Sequence, residues 1–122
     1  MLIIIPFIFA FGVYENNDYK INNEEATQET QNYSQQEMKE AIIYFNQSEE
    51  FDKALLLAKE YVSLYPEDTE GWVHRGYAYF NLGQCVEASA DLYHGSVNGN
   101  KDASEFLAMV ANSDMCKEAT KP

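Results

Sequence analysis

The amino-acid sequence predicts an all-α fold of five helices, and three observations support this prediction. From Ser34 onward, apolar residues recur at the spacing of one helix face, as in Met38, Ala41, Ile42 and Phe45. Almost no segment alternates apolar and polar residues with a period of two, so strands are not expected. Two stretches about 35 residues apart are alike, which indicates a repeated pair of helices.

Length and charge limit the class of protein. The chain has 122 residues, which is enough for one domain. It carries 8 Lys and Arg against 20 Asp and Glu, for a formal net charge of −12. Binding to nucleic acid requires clustered cations that neutralise phosphates, and docking on anionic lipid requires a basic patch. The charge therefore argues against both kinds of partner.

The N-terminal segment predicts export. Residues 2–13 read LIIIPFIFAFGV and contain no charge. As a helix they would span about 18 Å, against about 30 Å for the hydrocarbon core of a bilayer, so a signal peptide fits better than a membrane span. Ala10 and Gly12 form a small-x-small pattern, so we expect a signal peptide over residues 1–12 and a periplasmic or secreted protein. Without cleavage, the segment would act as a membrane anchor, and a core segment is the third alternative.

A polar stretch follows. In residues 16–36, nine of 21 residues are Asn or Gln and four are Asp or Glu. Because this stretch has little apolar area to bury, folding could not offset the entropy lost on ordering its backbone. We therefore expect it to be disordered. The predicted organisation is a signal peptide, a disordered linker over residues 13–33 and a folded domain over residues 34–122.

Capping and breaking signals place the five helices. A capping box from Ser34 to Glu37 opens the first, and a second runs from Asp52 until Pro66 stops it. Asp68 or Thr69 caps a third helix.

The third predicted helix ends at Gly83, and a fourth covers residues 86–97. A second capping box, at residues 102–105, opens the fifth.

The helices form repeating pairs. Residues 41–47 align with residues 76–82, thirty-five positions on, and residues 51–54 align with residues 85–88, thirty-four positions on. A helix-pair unit of this length predicts a stacked solenoid, and another 35 residues from Gly76 reach Ala111. Small residues at Ala41, Gly76 and Ala111 are expected where paired helices approach closely.

These residues resemble the tetratricopeptide repeat family, over residues 34 to about 116. The positions that match its motif are Ala41, Tyr44, Ala54, Pro66, Trp72, Gly76, Tyr79 and Ala88. Arg75 replaces the usual Leu, and Asn100 replaces the closing Pro of the second unit. The resemblance implies a short right-handed solenoid of about two repeats plus a capping helix.

The resemblance also implies a groove, lined by the first helix of each pair, that binds a peptide or protein. The matching residues are Met38, Ile42, Phe45, Val73, Tyr77, Phe80 and Asn81. Our leading hypothesis is an exported interaction module whose apolar groove holds a partner of unknown identity. The alternative is that these side chains are core or are covered by a second copy, as in a homodimeric or self-associating envelope component. Only Lys39 lies near a position of the family's carboxylate clamp.

The two cysteines are Cys85 and Cys116. In the solenoid that the resemblance implies, the start of the fourth helix lies beside the end of the fifth, so the pair is placed to form a disulfide. Two free, partly buried thiols are the alternative. A redox-active pair is not expected, since there is no CxxC spacing.

No chemistry of an enzyme is evident. Glu70 and His74 share a helix face, but no third metal ligand accompanies them, and His94 is the one other histidine. Nucleophile and phosphate-loop motifs are also missing. We therefore expect no enzymatic activity, no metal and no cofactor.

Overall fold

Six α-helices form the part of the chain that the computed structural model describes, residues 33–119. Their bounds are α1 Gln35–Gln47, α2 Phe51–Leu64, α3 Thr69–Asn81, α4 Cys85–Val97, α5 Lys101–Asn112 and α6 Asp114–Ala119. No residue of this described part lies in a β-strand, so the predicted all-α fold is confirmed. All five predicted helices are present, and the short α6 follows them. The predicted signal peptide and linker fall outside the described residues, apart from Tyr33. The disorder expected up to residue 36 is wrong at its end, because Ser34 caps α1 and Gln35 and Gln36 form its first turn.

The first two helix pairs repeat with one constant period. α1 and α3 begin 34 residues apart, at positions 35 and 69, and α2 and α4 begin 34 residues apart, at positions 51 and 85. The turns inside the pairs also correspond, because Glu49 and Gly83 both adopt the left-handed backbone, with φ of 61° and 81°. The predicted offset of 35 residues between the first helices is therefore wrong by one. Ile42, rather than Ala41, is the counterpart of Gly76.

Side-chain caps mark the beginnings of α1, α3 and α5, whereas α2 and α4 begin without one. The Ser34 hydroxyl accepts a hydrogen bond from the Glu37 amide at 3.1 Å, and the predicted capping box is present. At α5 the cap differs from the prediction, because the Asn100 side chain accepts from the Ala103 amide at 2.9 Å. That helix therefore begins at Lys101, before the predicted capping box.

The helices stack as hairpins. Each helix packs against its neighbours in the chain, and α3 also packs against α1 and α5. The first helices of successive pairs are therefore adjacent, as in a helical-hairpin solenoid. The largest fully buried side chains are Tyr61, Met38, Ile42, Leu92 and Val110. Fully buried alanines lie between them, at Ala54, Ala58, Ala78, Ala88 and Ala103.

Successive pairs meet at glycines that leave no room for a side chain. A Cβ atom on Gly71 would lie 2.6 Å from the Tyr61 ring, and one on Gly95 would lie 2.9 Å from the Cβ of Ala103. Both distances are shorter than real contacts of this kind. At these two positions the hairpins therefore approach each other too closely for any residue but glycine.

Ala111 does not lie at a close contact. It is exposed, and the buried residues of α5 are Ala103 and Val110. α5 begins 32 residues after α3, since α4 is one residue shorter than α2 and the loop before α5 is one residue shorter than the loop before α3. The predicted 35-residue step to Ala111 is wrong for that reason.

An ion pair joins α3 to α4. The Arg75 guanidinium donates two hydrogen bonds of 2.8 Å to the buried Asp91 carboxylate. The hydrogen bonds to Asp91 raise the pKa of Arg75. Arg75 also lies over the ring of Trp72, at 5.1 Å, and near the ring of Tyr79, at 5.8 Å.

Replacing Gly76 with Leu is expected to lower the free energy of unfolding by about 1–3 kcal/mol or more. A Cβ atom at Gly76 would lie 3.1 Å from Leu92 Cγ and 3.2 Å from Leu92 Cδ2, so the remaining atoms of a leucine side chain would overlap Leu92. Urea unfolding measures the change. Ala111→Leu is the matched control, since an exposed substitution should change the free energy by less than about 0.5 kcal/mol. Equal losses in the two variants would contradict the packing described here.

Cys85 and Cys116 form a disulfide in the structure, with Cα atoms 5.5 Å apart and a sequence separation of 31. Cys116 lies in α6 rather than at the end of α5. Both cysteines are buried in one cluster with Leu92, Ala103 and Val110. The bond therefore fixes the last helix to the beginning of α4.

Reducing this disulfide is expected to lower the free energy of unfolding by about 3–4 kcal/mol, from loop entropy released in the unfolded chain. Urea unfolding with and without dithiothreitol measures it. A Cys85→Ala/Cys116→Ala variant controls for effects of the reductant, because its stability should not respond to dithiothreitol. An unchanged midpoint of the wild type on reduction would show that the bond does not constrain the fold.

Candidate functional site

Four aromatic rings from α2, α3 and α5 form a continuous group, which we call the aromatic row. The Phe51 and Tyr77 ring centroids lie 6.2 Å apart, and those of Tyr77 and Phe106 lie 5.6 Å apart. Phe80 completes the row, with its ring edge-on to Phe106 at 5.7 Å. Tyr77 stands at the centre and remains 40% exposed.

Two shallow concavities flank the aromatic row, and acidic side chains line both. The first, of about 270 Å³, is lined by Tyr77, Phe106 and Met109 together with Asp102 and Glu105. The second, of about 300 Å³, lies beside Phe51 and is lined by Glu49, Glu50, Phe51, Asp52, Lys53 and Leu82.

The charge of these linings is strongly negative. We call the five carboxylates at the two concavities the acidic rim; they are Glu49, Glu50, Asp52, Asp102 and Glu105. The single lysine of the linings, Lys53, forms an ion pair with Glu50 at 2.8 Å. The aromatic row is therefore an apolar surface with an excess of negative charge beside it.

Two of the predicted groove residues lie elsewhere. Met38 and Ile42 have no solvent exposure and belong to the core. The prediction failed there because it aligned α1 with α3 at an offset of 35 residues. At the true offset of 34, Ile42 corresponds to Gly76, which is also buried.

The other predicted groove residues are accessible to different degrees. Phe45 is half-buried, with its ring 5.7 Å from Tyr44 and the Lys53 ammonium 5.9 Å away. Val73 is half-buried and packs against the core cluster. Asn81 is exposed and donates a hydrogen bond of 2.9 Å to the backbone oxygen of Tyr77. Of the predicted set, Tyr77 and Phe80 contribute rings to the aromatic row.

The predicted groove does not include Phe51, Phe106 or Met109. Phe51 lies in the aligned residues 51–54 of the predicted repeat, and Phe106 and Met109 lie in the predicted fifth helix. The sequence signal for Phe106 is its place early in the fifth predicted helix, which follows the two predicted helix pairs. Phe51 is the first residue of α2, the second helix of its pair. The repeat motif places the groove on the first helices, so it does not predict that Phe51 joins the aromatic row.

A polar network surrounds Lys39 in the N-terminal half of α1. The Lys39 ammonium lies 3.0 Å from both the Asp68 and the Glu70 carboxylates, and the Tyr61 hydroxyl donates to Asp68. Gln35 donates to the Tyr61 hydroxyl at 3.0 Å. Partial burial opposes the charge on Lys39, but hydrogen bonds to Glu70 and Asp68 outweigh it and raise its pKa. The one lysine near the family's carboxylate clamp is therefore already paired with two carboxylates.

His74 lies beside this network. Burial lowers the pKa of His74, although the charge of Glu70 acts in the opposite direction. The described helices bring no three His, Cys, Asp or Glu side chains together in a way that suits a metal ion. Within residues 33–119, no helix is both long and apolar enough to cross a bilayer.

Protein-family models, curated proteins and solved structures were each compared with the chain, and none matches it. The site is therefore interpreted from its own geometry.

Tyr77→Ser is expected to lower the free energy of unfolding by only about 1 kcal/mol, because the ring is partly exposed already. Ile42→Ser, at a fully buried position that was also predicted to line the groove, should cost about 4 kcal/mol. Thermal and urea unfolding of the two variants measure the difference. A loss at Tyr77 as large as that at Ile42 would place Tyr77 in the core.

Proposed function

We propose that this chain is an exported helical-repeat module that binds a segment of another protein on the aromatic row. The observation that carries the proposal is a row of partly exposed rings from α2, α3 and α5, with carboxylates of the acidic rim in the concavities beside Phe51 and beside Tyr77 and Phe106. The 34-residue period of the first two helix pairs and the stacked hairpins support assigning it to the tetratricopeptide class.

The surface favours a particular kind of segment. An apolar or aromatic side chain would lose water on contact with Tyr77, Phe106 and Met109, which form one wall of the first concavity. Lys or Arg residues on either side of that anchor would approach Asp102 and Glu105 on one side and the remaining acidic rim on the other. The expected partner segment therefore has an apolar anchor between cationic residues.

Charge also argues against a second copy of the chain on the aromatic row. Five carboxylates line the two concavities, and their one lysine is already paired. Two such surfaces placed face to face would bring like charges together. The alternative function, a self-associating envelope component, is therefore better supported by another surface, on α4.

Export is supported by the cysteines. A disulfide between Cys85 and Cys116 persists in an oxidising compartment and is rare in the cytosol. The charge-free segment at residues 2–13 suits a signal peptide. Neither feature distinguishes the periplasm from the outside of the cell.

Selection of a random peptide library on the full, oxidised chain tests the proposal. We expect recovered peptides to share an apolar or aromatic anchor with Lys or Arg within a few residues. Calorimetry should then show that Tyr77→Ser weakens the best peptide by about tenfold or more. Tyr44→Ser is the matched control, because Tyr44 is an exposed tyrosine outside the aromatic row and should leave affinity unchanged.

The acidic rim provides the second part of the test. Asp102→Asn/Glu105→Gln should weaken the same peptide several-fold and reduce the loss of affinity when salt is raised. A library that yields no shared pattern, or only acidic peptides, would contradict the proposal. So would a peptide whose affinity does not change with Tyr77→Ser.

A further inference from the structure

The outward face of α4 carries an apolar stripe. It consists of Val86, Ala90, Tyr93 and Val97, which we call the α4 stripe. Val86 is 65% exposed, Tyr93 is 62% exposed and Val97 is 60% exposed, and Ala90 is also exposed. The buried face of the same helix consists of Cys85, Ala88, Asp91, Leu92 and Gly95. At 100° per residue the stripe points directly away from that buried face.

The repeat supplies an internal comparison for this face. At the constant offset of 34 residues, the counterparts of the α4 stripe on α2 are Asp52, Leu56, Lys59 and Ser63. Three of these four are polar, and all four are exposed. The outward face of α2, in the first hairpin, is therefore mostly polar. The apolar character of the α4 stripe is therefore not required by the packing of the hairpin.

We propose that α4 pairs with α4 of a second copy of this chain, in antiparallel orientation. The stripe residues are spaced four, three and four apart, which is the spacing of a coiled-coil seam. A two-fold axis near the middle of α4 would place Val86 opposite Val97, and Ala90 opposite Tyr93. Each large Tyr93 then faces a small Ala90, whereas a parallel pair would place the two tyrosines against each other.

Charge favours a second copy over a membrane surface. α4 contains no Lys or Arg, and the chain as a whole carries a net charge of −12, which anionic lipid repels. Asp91 is buried in its ion pair with Arg75, so Glu87 is the one carboxylate of this helix at the surface. Two α4 helices therefore meet with little local repulsion.

The disulfide holds exposed Met115 near the end of α4 that carries Val86. Met115, which is 46% exposed, is the chain neighbour of Cys116, and Val86 is the chain neighbour of Cys85. Because the cysteine Cα atoms are 5.5 Å apart, the Cα atoms of Met115 and Val86 are at most about 13 Å apart. One helix face buries less area than the roughly 800 Å² per partner of a standard interface, so the expected dimer is weak.

Sedimentation equilibrium of the full oxidised chain, from about 1 µM to about 1 mM, tests the pairing. The mass should rise with concentration from 14.0 kDa toward twice that value, with a dissociation constant on the order of 10–100 µM. Raising salt should strengthen the dimer, because it screens repulsion between two acidic chains. Binding of a cationic peptide on the aromatic row should instead weaken when salt is raised. The dimer mass and the peptide affinity are measured separately, so one proposal can fail while the other holds.

Tyr93→Lys places on α4 the residue that α2 already carries at Lys59, so it should leave the helical circular dichroism unchanged. It should weaken the dimer at least tenfold, about 1.4 kcal/mol, although it makes the chain less negative. Leu56→Lys on the outward face of α2 is the matched control and should not change the dissociation constant. A monomer throughout the concentration range would overturn the proposal. So would a dimer that Tyr93→Lys does not weaken, or one that Leu56→Lys weakens equally.

The orientation has its own test. Ala90→Tyr/Tyr93→Ala exchanges the large and small residues, and an antiparallel pair should keep its dissociation constant within about threefold, because each large residue again faces a small one. Tyr93→Ala alone should weaken the dimer about tenfold. A double variant as weak as Tyr93→Ala would overturn the antiparallel arrangement.

Discussion

Close approach of neighbouring helices at residues without side chains is the constraint on which the rest of this structure depends. Gly71 lies against Tyr61 and Gly95 against Ala103, and each contact is too short for an added Cβ atom. These contacts hold α3 against α2 and α5 against α4. Because α3 is held between α2 and α5, Tyr77 reaches rings from both of its neighbours, and the aromatic row is continuous.

A second interaction selects the register of that packing. Arg75 on α3 forms two hydrogen bonds with the buried Asp91 carboxylate on α4. A buried ion pair contributes little net stability compared with apolar residues, but any arrangement that leaves one partner unpaired is strongly disfavoured. Trp72 supports the same geometry, since its ring stacks on His94 at 3.8 Å and its indole nitrogen donates to the Pro66 oxygen. The ion pair therefore disfavours any packing of α3 on α4 that separates Arg75 from Asp91.

The sequence predicted the helices well because caps and helical spacing are local properties, as at Ser34 and Pro66. It predicted the groove less well, because a groove depends on the offset between helices that are distant in the chain. An error of one residue in that offset moved Met38 and Ile42 from the core to the predicted surface. Phe51 was missed for a different reason, since it reaches the aromatic row only through tertiary packing.

The two proposed surfaces consist of different residues and differ in charge, since the aromatic row has five carboxylates beside it and the α4 stripe has almost no charge. No residue of the aromatic row belongs to α4, and no carboxylate of the acidic rim lies on that helix. Association through the α4 stripe would therefore leave both aromatic rows of a dimer available. A partner with two anchor segments would then bind the second row at the effective concentration set by its linker, which increases overall affinity without any new contact. In such an assembly a weak helix pair and a modest peptide site together give tight binding, and either one alone does not.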